Sequence, residues 1–99
     1  MHDLLTGLPN RLHVATHLEA LLEHDRSAAV TLCKIDLYCF GVVNDGLGQG
    51  IGDLLLRSVA GRLQALVAGE RAMVARFGAD EFALVIEESP TTPHAARLP

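Results

Sequence analysis

Two apolar runs, Ala72 to Phe77 and Phe82 to Ile86, are separated by only four residues, Gly78-Ala79-Asp80-Glu81. So short a connection between two strand-like segments has to double the chain back on itself. The stretch therefore reads as a β-hairpin with acids at its tip. At least one antiparallel strand pair is fixed by this, and a lone hairpin is marginal in water until other elements cover it.

Two helical patterns supply the cover. From Arg11 to about His24, Val14, Leu18, Leu21 and Leu22 recur at i, i+4, i+7 and i+8, one apolar stripe. A second, longer helix opens out of GLGQGIGD (Gly46 to Asp53) and is closed by Ala68-Gly69-Glu70. At 100° per residue, Ile51, Leu55, Leu56, Val59, Ala60, Leu63, Leu66 and Val67 fall on one half of its wheel. Asp53, Arg57 and Gln64 fall on the other half, with Leu54 and Arg62 as exceptions.

Between the helices, Ala28 to Ile35 (AAVTLCKI) reads as a largely buried strand that ends at an acid, Asp36. A short irregular or helical piece follows, through Phe40, Val42 and Val43 to Asn44. The first segment, Asp3 to Arg11, is turn-rich and leads into the first helix. The order helix, strand, helix, strand, strand implies an α+β two-layer sandwich. One strand–helix–strand unit is expected to be parallel and right-handed. After Glu88 the sequence SPTTPHAARLP has three prolines and no periodicity, which divides the chain into a folded 1–88 and a linker or frayed tail, 89–99.

Ninety-nine residues allow one domain, and 49% apolar with 20% charged residues is a globular rather than a disordered composition. A net charge of −4 argues against a general nucleic-acid binder. It leaves room for a nucleotide site, because a bound metal offsets both phosphates and carboxylates. No apolar run approaches the roughly 18 residues of a membrane span, and Met1-His2-Asp3 has none of the features of a signal peptide. Cys33 and Cys39, six apart, match no common zinc or redox spacing and read as reduced thiols in a cytosol.

Asp36 at a strand end and Asp80 with Glu81 at the hairpin tip can converge at one edge of the sheet. Mg²⁺ sites for phosphate chemistry use such acids, one or two from the protein, with water and phosphates filling the other positions. From spacing alone the plainer reading is preferred, that these acids cap strand ends and face solvent. Lys34 shares a sheet face with Asp36 and reads as a snorkelling edge lysine, with pairing to Asp36 as the alternative. Glycines 46, 48, 50 and 52 are followed by no Lys-Ser/Thr and do not fit G-x-G-x-x-G, so they shape a tight loop rather than a phosphate loop. His13 and His17 stand i, i+4 on a helix, but no acid or cysteine is placed to complete a metal site, and that face reads as solvated.

Three segments, DLLTGLPNR (Asp3 to Arg11), IDLYCFGVVNDGLGQGIGDLLL (Ile35 to Leu56) and ARFGADEFALV (Ala75 to Val85), resemble the GGDEF family in order and spacing. The resemblance implies a palm-like fold related to nucleotide cyclases, truncated at its C-terminus, in a bacterial cyclic di-GMP signalling protein. Active members condense two GTP molecules into cyclic di-GMP. The wording NDGLGQGIGD and TGLPNR is most similar to domains that precede an EAL phosphodiesterase domain. Carried over, the resemblance makes Asp36, Asp80 and the Leu37 carbonyl ligands of Mg²⁺. It places Asn44 and Asp53 at the guanine edge, whose O6 accepts while N1 and N2 donate. Phe40, Gly78 and Ala79 fall in the substrate-binding stretch, and Asp80 and Glu81 take the catalytic positions, Glu81 beside the reacting hydroxyl.

The pattern is also broken. Ala79 replaces the second motif glycine, Gly41 the lysine after the phenylalanine, Tyr38 the second strand-end acid, and Gln49 the usual histidine. If position 79 requires a positive φ, alanine there costs about 1–2 kcal/mol and adds a methyl in the nucleotide's path. Gly69 and Ala72 stand where the inhibitory product-binding Arg-x-x-Asp would be. The reading preferred from these departures is a degenerate regulatory or GTP-binding module with little or no cyclase activity, in contact with a second copy or an adjoining EAL or sensor domain. An active Mg²⁺-dependent diguanylate cyclase is the alternative, and a non-catalytic dimerisation scaffold is a third reading.

Overall fold

The structure is a computed structural model and describes residues 1–88; the expected tail, 89–99, lies outside the described residues. Six elements follow one another: α1 (Arg11–His24), β1 (Ala29–Asp36), α2 (Phe40–Leu47), α3 (Gln49–Leu66), β2 (Ala72–Gly78) and β3 (Glu81–Glu88). The hairpin forms as expected, and its turn is tighter than the sequence suggested, since Gly78 and Glu81 pair with each other and only Ala79 and Asp80 lie outside the strands.

β1 joins the other side of β3, giving a three-stranded sheet in the order β1-β3-β2, antiparallel throughout. β1 and β2 therefore run in the same direction, but β3 lies between them. The expected parallel relation holds in direction and not in adjacency. Within the described residues β1 is an edge strand, which corrects the expectation that it is largely buried. Leu32 is 52% exposed, and Cys33 and Lys34 are exposed beside it.

Helices cover both faces of the sheet. Neighbouring residues of a strand point to opposite sides, so Val74 packs with Phe82, Leu8 and the α3 residues Leu56, Ala60 and Leu63, while Ala75 packs with Val85 and Val14 of α1. The buried line on α3 is Gly52, Leu56, Ala60 and Leu63, narrower than the half-wheel expected. Ile51, Leu55 and Leu66 are exposed, Leu66 by 72%, as is Leu22 on α1. Three strands present too little apolar surface to cover a full helix half, so only the residues stepping by three and four towards the sheet are buried.

Local chemistry sets the helix ends. The Asn10 side chain accepts a hydrogen bond from the His13 amide at 2.9 Å, an N-cap for α1. Gly48, at φ 91°, makes the turn between α2 and α3, a conformation glycine adopts without strain. No helix of the described residues is long and apolar enough to cross a membrane.

Candidate functional site

The end of β1 meets the hairpin tip. Asp36 is the register partner of Glu81, and the Leu37 amide donates to the Asp80 carbonyl at 3.0 Å. The backbones of residues 36–37 and 80–81 are thus cross-strand neighbours. Asp36 is exposed, and Asp80 and Glu81 are half-buried.

Lys34 does not pair with Asp36. Its Nζ lies 2.6 Å from Glu81 Oε2 on the neighbouring strand. The register explains this: Lys34 faces Ala83 and Asp36 faces Glu81, so Lys34 and Glu81 are diagonal neighbours within reach of a long side chain. The hydrogen bond from Lys34 holds the Glu81 carboxyl below its ordinary value, and the same bond raises the Lys34 ammonium, helped by the charges of Glu81 and Asp36. Gly78 leaves space for this acid, since a Cβ at that position would come within 2.8 Å of Glu81 Oε1.

The two residues expected at a guanine edge sit on the helix pair that follows β1. α2 begins four residues after Asp36, and the sole non-glycine residue with positive φ among those described, Cys39 at φ 62°, turns the chain into it. Asn44 on α2 packs against Gly52 on α3, immediately before Asp53. A Cβ on Gly52 would collide with Asn44 Oδ1 and would come within 3.4 Å of the Phe40 ring. Glycine at 52 is thus what lets Asn44 and Phe40 lie against the first turn of α3. At Gly41, by contrast, nothing lies within 4 Å of where a side chain would begin.

Ala79 is not among the residues with positive φ. The conditional strain at that position therefore does not arise, and alanine fits this turn without backbone cost. An open cleft of about 490 Å³ beside the hairpin is lined by His2, Asp3, Leu4, Asn10, Arg76, Phe77, Gly78 and Ala79. Of the expected site residues only Gly78 and Ala79 reach it.

One residue of this region escaped the sequence reading. Arg76 donates through Nη1 to both Asp3 carboxylate oxygens, at 2.9 and 3.0 Å, through Nε to the Gly78 carbonyl at 3.1 Å, and through Nη2 to the Ala79 carbonyl at 2.7 Å. It fastens the hairpin turn to the Asp3–Thr6 loop. An arginine inside an otherwise apolar strand, two residues before a glycine, was the available signal. The absence of an acid near the α1 histidines also needs correction. Glu87 Oε1 lies 3.1 Å from His17 Nε2, while the His13 ring meets the His2 ring at a tilt of 56° with centroids 5.0 Å apart, so the two rings face different partners.

The geometry agrees with what known proteins resemble. The family model described as "Diguanylate cyclase, GGDEF domain" matches residues 1–98. The signaling protein YkoW of Bacillus subtilis is 39% identical over 92 residues, covering 91% of this chain and 11% of that protein. The bifunctional diguanylate cyclase/cyclic di-GMP phosphodiesterase MucR of Pseudomonas aeruginosa is 44% identical over 91 residues, 88% of this chain and 13% of its own. Among solved structures, a sensory box/GGDEF family protein from Caulobacter crescentus superposes with a TM-score of 0.80 at 36% identity, over 96% of this chain and 62% of that one. A chain of TpbB (YfiN) from Pseudomonas aeruginosa comprising only the GGDEF domain gives 0.73 at 36% identity, over 87% of this chain and 51% of that one. The chain therefore spans a small part of these curated relatives and half to two thirds of these solved chains. With the three motifs, the sheet order and the family match in agreement, this chain belongs to the GGDEF domain family of cyclic di-GMP signalling proteins.

Proposed function

We propose that this GGDEF chain is a regulatory module that recognises a guanine nucleotide with Asn44 and Asp53 and turns over little or no GTP. The observation that carries the reading is a contrast within one helix pair. Gly52 seats Asn44 against the start of α3 beside Asp53, whereas the first turn of α2 offers open space at Gly41 in place of the lysine that the family directs at the triphosphate. Base recognition is supported, and phosphate handling is weakened.

Asp36, Asp80 and the Leu37 carbonyl are hard oxygen donors of the kind Mg²⁺ takes, so the donor chemistry fits that ion. When bound, Mg²⁺ neutralises phosphate charge. The chain's own part is to orient the nucleotide through Asn44, Asp53 and Phe40 and to let it approach the backbone at Gly78 and Ala79. Phosphoryl transfer depends on positioning and charge neutralisation, and the loss of one such donor typically costs on the order of 10²–10³ in rate. Gly41 removes one, and the Ala79 methyl narrows the approach. The setting we propose is cytoplasmic, with a second copy or an adjoining EAL or sensor domain as partner. The likeness to MucR, a bifunctional cyclase and phosphodiesterase, supports a neighbouring domain.

The second reading, an active cyclase working as two domains face to face, draws on Asp36, Asp80, Glu81, Asn44 and Asp53 all being present. Incubation of the full-length protein with GTP and Mg²⁺ separates the two. The expected result is GTP binding by calorimetry with no more than trace cyclic di-GMP, and recovery of synthesis in the Gly41→Lys, Ala79→Gly double variant. Robust synthesis by the unaltered protein would establish the second reading, and the absence of GTP binding would leave a dimerisation scaffold.

A further inference from the structure

We infer that Lys34 is a tethered cation of the acidic site, holding Glu81 and screening Asp36, and that it weakens this chain's affinity for a divalent ion. The inference rests on the reading above, in which Asp36 and the hairpin tip form the metal site.

Alternation along the strands and the register put Lys34, Asp36 and Glu81 on one face of the sheet. Lys34 is half exposed, 51%, and has open water available to it, yet its ammonium is turned onto Glu81 at 2.6 Å. The other carboxylate oxygen of Glu81, Oε1, occupies the space over Gly78 that a Cβ would fill. A second cation faces the same region: the Arg11 guanidinium, at the start of α1, stacks over the Phe77 ring at 4.6 Å. Two carboxylates that would otherwise present a combined charge of −2 are thus reduced to −1 by a group that cannot diffuse away. A divalent ion held by Asp36 and Asp80 has to bind beside this ammonium, on the register partner of Asp36, and the repulsion between the two positive charges weakens its binding. Exposed charge pairs are individually modest, and a doubly charged competitor feels the lysine twice as strongly as a singly charged one. The expected effect on divalent-ion affinity is therefore about tenfold.

The test uses the full-length protein and Mn²⁺ alone, followed by electron paramagnetic resonance of the free ion. Lys34→Gln and Lys34→Met should each tighten Mn²⁺ by about tenfold relative to the unaltered protein, while Lys34→Arg, which keeps the charge, should not. Adding Asp36→Asn to Lys34→Gln should abolish the gain. Equal Mn²⁺ affinity with and without the lysine charge, or a gain that survives Asp36→Asn, would overturn the inference. Calorimetric GTP binding by the unaltered protein is read separately: its failure would remove the nucleotide reading without altering the Mn²⁺ comparison.

Discussion

Replacing Arg76 with leucine should be among the most damaging single changes available near the hairpin. The guanidinium makes four hydrogen bonds, two to the Asp3 carboxylate and one each to the carbonyls of Gly78 and Ala79. The Arg76 and Asp3 side chains are only 14% and 22% exposed, so the pair is largely shielded from competing water. A hydrogen bond to a charged group is worth about 1.5–3 kcal/mol net, and a partly wet pair sits at the low end of that range. The carbonyl at Ala79 is exposed and can rebond to water. Asp3 keeps its bonds from the Thr6 amide and hydroxyl, at 2.8 and 2.7 Å, so it is not left stranded. Together these place the loss at about 2–3 kcal/mol. For a domain of this size each kcal/mol moves the melting temperature by about 4–8 °C, so a fall of roughly 8–24 °C is expected. Urea unfolding of the Arg76→Leu, Asp3→Asn and double variants would measure both the loss and the coupling between the pair. A loss below about 0.5 kcal/mol, or purely additive variants, would refute the idea that this contact fastens the hairpin to the N-terminal loop.

Three further outcomes follow from the same contacts. Burial pushes the Asp3 carboxyl up, but the hydrogen bonds from Thr6 and Arg76 outweigh it and leave its pKa below the ordinary 3.8. A depressed folded pKa gives stability that is complete above the unfolded value and is lost as pH falls through the folded one, so stability should decline below about pH 4. Asp3→Asn should lack that part of the acid transition, and identical acid titrations would count against the assignment. Gly52→Ala places a methyl against Asn44 Oδ1 and should cost about 1–3 kcal/mol. Faster amide exchange should be confined to α2 and the first turn of α3, and a uniform change would be contrary. Cys39 holds φ 62°, a conformation that costs an L-residue about 1–2 kcal/mol, so Cys39→Gly should recover part of this, offset by glycine's greater freedom when unfolded. An unchanged melting temperature for Cys39→Gly together with tolerance of Cys39→Val would show that the site is unstrained.

Most of the element order was legible in the sequence because it depends on local patterns: turn residues between apolar runs, a stripe on each helix, glycines at the break between α2 and α3. Those same patterns say which face of a strand a side chain occupies and nothing about what stands opposite. Lys34 shows the difference. Alternation put it on the face of Asp36, but a same-strand neighbour two residues on is about 7 Å away, and the register of β1 on β3 brought Glu81 within a hydrogen bond instead. Glu87 beside His17 and Asp3 beneath Arg76 are contacts of the same kind, each joining segments seventy or more residues apart. The exposed Leu66 and Leu32 mark a second limit. A stripe records what a helix or strand is able to bury, whereas the partner decides how much is buried, and here Leu56, Ala60 and Leu63 are buried while Val59 and Val67 are only partly covered. The site inherits both limits. The sequence put acids at the two strand ends and an amide–carboxylate pair on the helices, but the charge balance among the acids is set by cross-strand register. A single-residue slip of β1 would carry Lys34 and Asp36 to the opposite face and leave Glu81 without its ammonium.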